Sequence, residues 1–245
     1  MNGEAIIELS DRLLRPVQIG DVLAKPEGWT LHDPAAVIEH GPLPVTVGVS
    51  TLGAVRDYLT ANKDGLTLTA LTVHVYNPSR VQVLGPLNSR DASRPTYLGA
   101  SCEDSTATWL DRYHAIEDFI IGLQTRFVDA GDRPRLLALI GNVKHESVKT
   151  AADDGVTQIV QARSGVALVS EVAVPNPVLL TPYRTFRDIV QPDSLFVLRV
   201  KAGPAGGLPV VGLFEADGGA WRLTAIERVR AWLADSLPKE VAVLA

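Results

Sequence analysis

Two acidic turns hold the residues whose types and spacing come nearest to a reactive centre. Asp153-Asp154-Gly155 precedes a strand-like run, and Glu215-Ala216-Asp217 leads into Gly218-Gly219. Brought to one sheet edge, Asp153, Asp154, Glu215 and Asp217 would offer oxygen ligands for Mg²⁺ or Mn²⁺. A metal held there would support hydrolysis of a nucleotide or a nucleic acid. The plainer account is turn formation, in which the glycines supply positive φ. That account is favoured, because Glu215-Ala216-Asp217 lacks the strand lysine of an E-x-K arrangement.

A second cluster alternates cations with rings. Arg184, Arg187, Arg199 and Lys201 interleave with Tyr183, Phe186 and Phe196 over two neighbouring strand-like runs. Such a surface can stack bases and hold phosphates. The same alternation also describes a sheet with one core face and one solvated face. Other chemistry finds little support. The histidines at 32, 40, 74, 114 and 145 include no i, i+4 pair for a metal. Ser50, Ser101 and Ser164 lie near glycines without a G-x-S-x-G elbow. GPAGG at 203–207 has no lysine after it and reads as a hairpin tip rather than a phosphate loop. Cys102, the single cysteine, has no cationic neighbour in sequence to activate it. No catalytic residue is assigned, and no cofactor beyond the Mg²⁺ or Mn²⁺ of the metal alternative.

The elements that must position these residues read as an α+β fold, with mostly antiparallel or mixed sheets. The stretch from Asp153 to Trp221 carries short β-branched and aromatic runs (VTQIVQ, GVALVSEVAV, PVLLTPYRTF, SLFVLRV, LPVVGLF) separated by turn residues. These linkers are too short for crossover helices, so most neighbours should be antiparallel. Upstream, LPVTVGV at 43–49 is a strand, 51–62 a helix, and 68–76 with 80–87 a hairpin around Asn77-Pro78-Ser79; 94–102 adds a strand. A central helical hairpin follows. Its first helix starts at an Asp111 N-cap and buries Ile116, Phe119, Ile120, Leu123 and Phe127. Its second starts near Asp132 and buries Leu136, Leu137 and Ile140. The C-terminal helix is read as capped by the box Thr224-Ala225-Ile226-Glu227. It carries Ile226, Val229, Leu233 and Leu237 on one face, and VAVLA at 241–245 is a last strand.

Residues 1–42 read as an N-terminal helix with an apolar stripe (Ile6, Ile7, Leu9, Leu13, Leu14) and an irregular arm, suited to packing on its own body or on a second subunit. Residues 43–245 read as a single α+β body. It divides into a first unit at 43–110, a helical pair at 111–142 and a strand-rich unit with the C-terminal helix at 143–245. The net charge of −5 gives no electrostatic footprint for duplex binding. With one cysteine, no basic-then-apolar leader and no 18-residue apolar run, the expectation is a reduced intracellular compartment and no membrane span.

Several strings carry a resemblance: VHVYNPSRVQVLGPLNSR at 73–90, LQTRFVDAGDRPRLLALIGN at 123–142 and LIGNVKHESVKTAADDGVTQ at 139–158. With them go GVALVSEVAVPNPVLLTPYRTFRDIVQPDSLFVLRV at 165–200 and LFEADGGAWRLTAIERVRAWL at 213–233. Over roughly residues 43 to 240 the chain resembles a family of phage and prophage proteins, and more loosely the YfdQ-like prophage proteins. The resemblance implies expression in the cytoplasm of a bacterial host; it supplies no activity and no site residue. The resulting expectation is a phage or prophage accessory protein that acts by binding or self-assembly, without catalysis. Its partners would be copies of itself, or a host or phage protein. The alternatives are a metal-dependent enzyme acting through the acidic turns, and a protein that binds single-stranded nucleic acid.

Overall fold

Alternation of valines with polar residues dictates the first sheet. In β2 (Thr72–Asn77) and β3 (Arg80–Leu84), Val73, Val75, Val81 and Val83 are buried while their neighbours are half-exposed or exposed. The two strands form the expected hairpin, with the Asn77 carboxamide accepting from the Ser79 N–H at 2.9 Å across the turn. The computed structural model describes residues 43–88, 92–142, 158–164, 168–203 and 209–245. The helix and arm expected at 1–42, Asp153 and Asp154, and most of the GPAGG stretch lie outside the described residues.

Beside the hairpin lies β4 (Thr96–Ser101), and beside that β1 (Val47–Val49), giving the order β1-β4-β3-β2-β11. The three inner strands are antiparallel; β1 runs parallel to β4 at one edge and β11 (Ala242–Leu244) parallel to β2 at the other. One face is covered by α1 (Leu52–Ala61), through Leu52, Val55 and Leu59, and by α4 (Trp221–Ser236), through Val229 and Leu233. Helix α1 is capped by Thr51, which accepts from Ala54 N, and ends on Asn62 in the left-handed region.

The second sheet is antiparallel, in the order β5-β10-β9-β8: Tyr113–Ala115, Val210–Glu215, Ser194–Lys201 and Val178–Leu180. The expected helical hairpin, α2 (Ile116–Arg126) and α3 (Arg133–Gly141), covers its inner face. Phe119, Leu123, Phe127, Leu136 and Ile140 meet Phe196, Leu198, Val211 and Leu213 there. Trp109 lies against Gly122, where an added Cβ would sit 2.3 Å from the indole nitrogen. A third, two-stranded sheet pairs β6 (Gln158–Ser164) with β7 (Leu168–Val174). No helix among the described residues is long and apolar enough to cross a membrane.

Two helix starts differ from expectation. Asp111 is not an N-cap: it has φ 59°, its N–H donates to Leu213 O, and its carboxylate accepts from Glu215 N. The residues after it join the sheet as β5 before α2 begins. Thr224 is not a cap either, because α4 begins three residues earlier at Trp221 and no side chain caps it. Asp217 forms the lead-in turn, accepting from Gly219 N at 2.9 Å. Burial of Trp221 then pulls the first turn inward. Packing of an aromatic ring outweighs a local capping preference of about 1 kcal/mol. Sequence order is also not spatial order, since α4 and β11 return to complete the first sheet.

Candidate functional site: the outer face of the second sheet

Strand register assembles an exposed surface on the side of the second sheet away from α2 and α3. On β9 the burial alternates, so Phe196, Leu198 and Val200 go inward while Leu195, Val197, Arg199 and Lys201 share the outer face. The row Arg199–Gly212–Tyr113 crosses three strands, and the row Lys201–Val210–Ala115 lies next to it. Lys201 Nζ sits 3.6 Å from the Tyr113 ring centroid. Phe214 meets Tyr113 edge-on at 5.4 Å.

Gly212 makes that aromatic pair possible. A Cβ there would come within 2.9 Å of both the Phe214 ring and Arg112 O, so the ring lies over a position only glycine leaves open. At the far end of the face, Leu195 pairs with Leu179 of β8; they are 40% and 41% exposed. Apolar side chains thus grade into an aromatic and basic end on one sheet surface. Arg199 and Lys201 were expected in such a cluster. Tyr113, Phe214 and the two leucines were not, because β5 was read as helix and register is invisible before the strands are paired.

The remaining residues of the expected cluster go elsewhere. Tyr183, Arg184, Phe186 and Arg187 lie on no strand; residues 181–193 cross from one core to the other as an irregular segment, bridged at Pro182 to Phe127. Phe186 is fully buried in the first core. Arg184 is 2% exposed. Its guanidinium pairs with Glu215 Oε1 at 2.5 Å, donates to the Ser194 hydroxyl and lies 4.0 Å over the Trp221 ring. Burial lowers the Arg184 pKa from its ordinary value, and the Glu215 hydrogen bond opposes that shift. Arg184 and Phe186 are therefore interior residues, corrected from the expected binding surface. Only Tyr183 and Arg187 reach the outside, with the Arg187 guanidinium stacked 3.6 Å over the Tyr183 ring.

Gln191 holds this crossing in shape. Its carboxamide oxygen accepts from Arg184 N and Thr185 N, and its nitrogen donates to Phe186 O and Ile189 O. Asp188 fastens the segment to α1 by accepting from Leu52 N and Gly53 N, at 3.2 and 3.0 Å.

The metal alternative meets the same geometry. Glu215 is the counter-ion of Arg184, and Asp217 is bonded to its own turn. Their expected companions, Asp153 and Asp154, lie outside the described residues. Among the described residues no three His, Cys, Asp or Glu side chains converge on one point.

Against family models, curated proteins and solved structures, the chain finds no match.

Proposed function

We propose that the chain is a phage or prophage accessory protein that acts by binding in the cytoplasm of a bacterial host, assembling with copies of itself through the outer face of its second sheet. The single observation that carries this reading is the face itself. Leu179, Leu195, Val197, Phe214 and Tyr113 are held on paired strands, so little ordering entropy is left to lose on association. Apolar side chains grading into aromatics and cations are the composition of an interface core with its rim. The resemblance over residues 43 to 240 supports the viral setting. The ion pairing of Glu215 and the turn bond of Asp217 favour binding over metal-assisted catalysis.

Sedimentation equilibrium tests the reading. The wild-type chain sediments at a multiple of 26.3 kDa, and Leu195→Asp, which places a charge in the apolar end of the face, returns it to the monomer mass. A wild-type mass of one chain at every concentration overturns self-assembly. A second reading rests on the basic end alone: Lys201 over Tyr113, with Arg199 and Phe214 beside them, would stack and neutralise a single strand. That reading requires fluorescently labelled oligothymidylate to bind with an affinity that falls steeply with salt and is lost in Tyr113→Ala.

A further inference from the structure

We infer that the cleft at the carboxyl ends of β1 and β4 binds a small phosphorylated polyol, with Arg187 as its anion anchor. The two strands are parallel neighbours in register from Val47↔Leu98 to Val49↔Ala100, so both chains leave the sheet on the same side. Ser50 and Thr51 follow β1, while Ser101, at the end of β4, leads to Cys102 and Glu103. The crossing segment closes the third wall with Thr185 and Arg187, leaving a cleft of about 450 Å³. That volume falls within the range of small-molecule sites, and the carboxyl ends of parallel strands are where such sites open in α/β sheets.

The chemistry of the wall selects the ligand. Arg187 is stacked on Tyr183, and no carboxylate among the described residues pairs with it. Its guanidinium is therefore a pre-oriented cation with hydrogen-bond donors to spare. The hydroxyls of Ser50 and Ser101 are exposed and unengaged among the described residues, and Thr51 Oγ1 accepts from Ala54 N while keeping its own proton to donate. The amino end of α1 does not receive the anion, because Asp188 already takes the N–H groups of Leu52 and Gly53. Glu103 in the same wall repels a second anionic group and accepts from neutral hydroxyls. One oxyanion for Arg187, and a hydroxylated body for the serines and Glu103, describe a sugar phosphate or the ribose phosphate of a nucleotide. This site shares no residue with the outer face of the second sheet and does not depend on it.

The test uses the full chain with ribose 5-phosphate, a nucleoside 5′-monophosphate, inorganic phosphate and ribose. Calorimetry and melting temperature read binding, and the alkylation rate of Cys102, which lines the cleft, reads its location. Ribose 5-phosphate binds saturably and more tightly than phosphate, ribose alone does not bind, and the ligand slows Cys102 alkylation. Tighter binding by the monophosphate assigns the nucleotide source; weaker binding assigns the free sugar phosphate. Arg187→Met, which keeps an apolar side chain over Tyr183, weakens binding about tenfold or more. Absence of saturable binding by both ribose phosphates overturns the inference. So does binding that Arg187→Met leaves unchanged, or that leaves Cys102 equally reactive.

Discussion

At the scale of single residues, Arg184 shows how one buried charge organises its surroundings. It holds Glu215, Ser194 and the Trp221 ring at once, so removing it strands a carboxylate that has given up much of its water. Arg184→Met is expected to cost about 3 kcal/mol in urea unfolding, and Arg184→Met with Glu215→Gln to recover part of that loss. Arg184 was misread from sequence because PVLLTPYRTF reads as one extended run. The strand ends at Leu180, and the irregular backbone beyond it turns Arg184 inward and leaves Arg187 outside. Cys102 gives a second residue-scale outcome. Burial pushes its thiol from 9.0 up to about 11. The folded chain holds that proton more tightly than the unfolded one. The contribution to stability is therefore whole below pH 9 and is lost as the pH rises towards 11. Iodoacetamide should accordingly react slowly with the folded chain, with a rate that climbs with a midpoint near pH 11, while the urea-unfolded chain titrates near 9.

At the scale of elements, amphipathic periodicity was legible and so were the helix ends at Asn62, Asp132 and Asn142, but the caps at Asp111 and Thr224 were not. The stripe Val229, Leu233, Leu237 and the α2 face of Phe119 and Leu123 lie where 3.6-residue spacing puts them. Caps depend on one or two hydrogen bonds of about 1 kcal/mol, which tertiary contacts displace, as Trp221 does in α4. Thr224→Ala should therefore stay within about 0.5 kcal/mol of the wild type by chemical denaturation, as for a helix-surface change. Trp221→Ala should cost about 3–5 kcal/mol, because it empties the ring under Arg184. The reverse ranking would restore Thr224 as the true start of the helix. The strand pairs around Asn77-Pro78-Ser79 were legible because their turn is local. The Arg199–Gly212–Tyr113 row was not, because it joins residues far apart in the chain and only pairing reveals it.

At the scale of the whole molecule, the α+β class was readable from alternation and helix period, but the division into cores was not. The sequence reads 43–245 as a single body whose first unit is 43–110. The first sheet draws Phe186, Val229, Leu233, Leu237 and Val241 from the later half of the chain. A fragment of residues 43–110 is therefore expected to lack a cooperative melting transition by circular dichroism, whereas 43–245 melts as a folded body. A cooperative transition in the short fragment would mean that α1 and the hairpin suffice.

The late return of α4 and β11 also bears on how the protein is made. Strands β1 to β4 leave the ribosome with Val73, Val75, Val81 and Val83 covered by α1 alone, and the rest of their cover comes only with Phe186 and α4. At a synthesis rate of about 5–20 residues per second, that wait is on the order of ten seconds, long against the microseconds in which hairpins form. For that interval the nascent first sheet is a sticky half-sandwich, and the yield of protein depends on how well chaperones at the ribosome shield it.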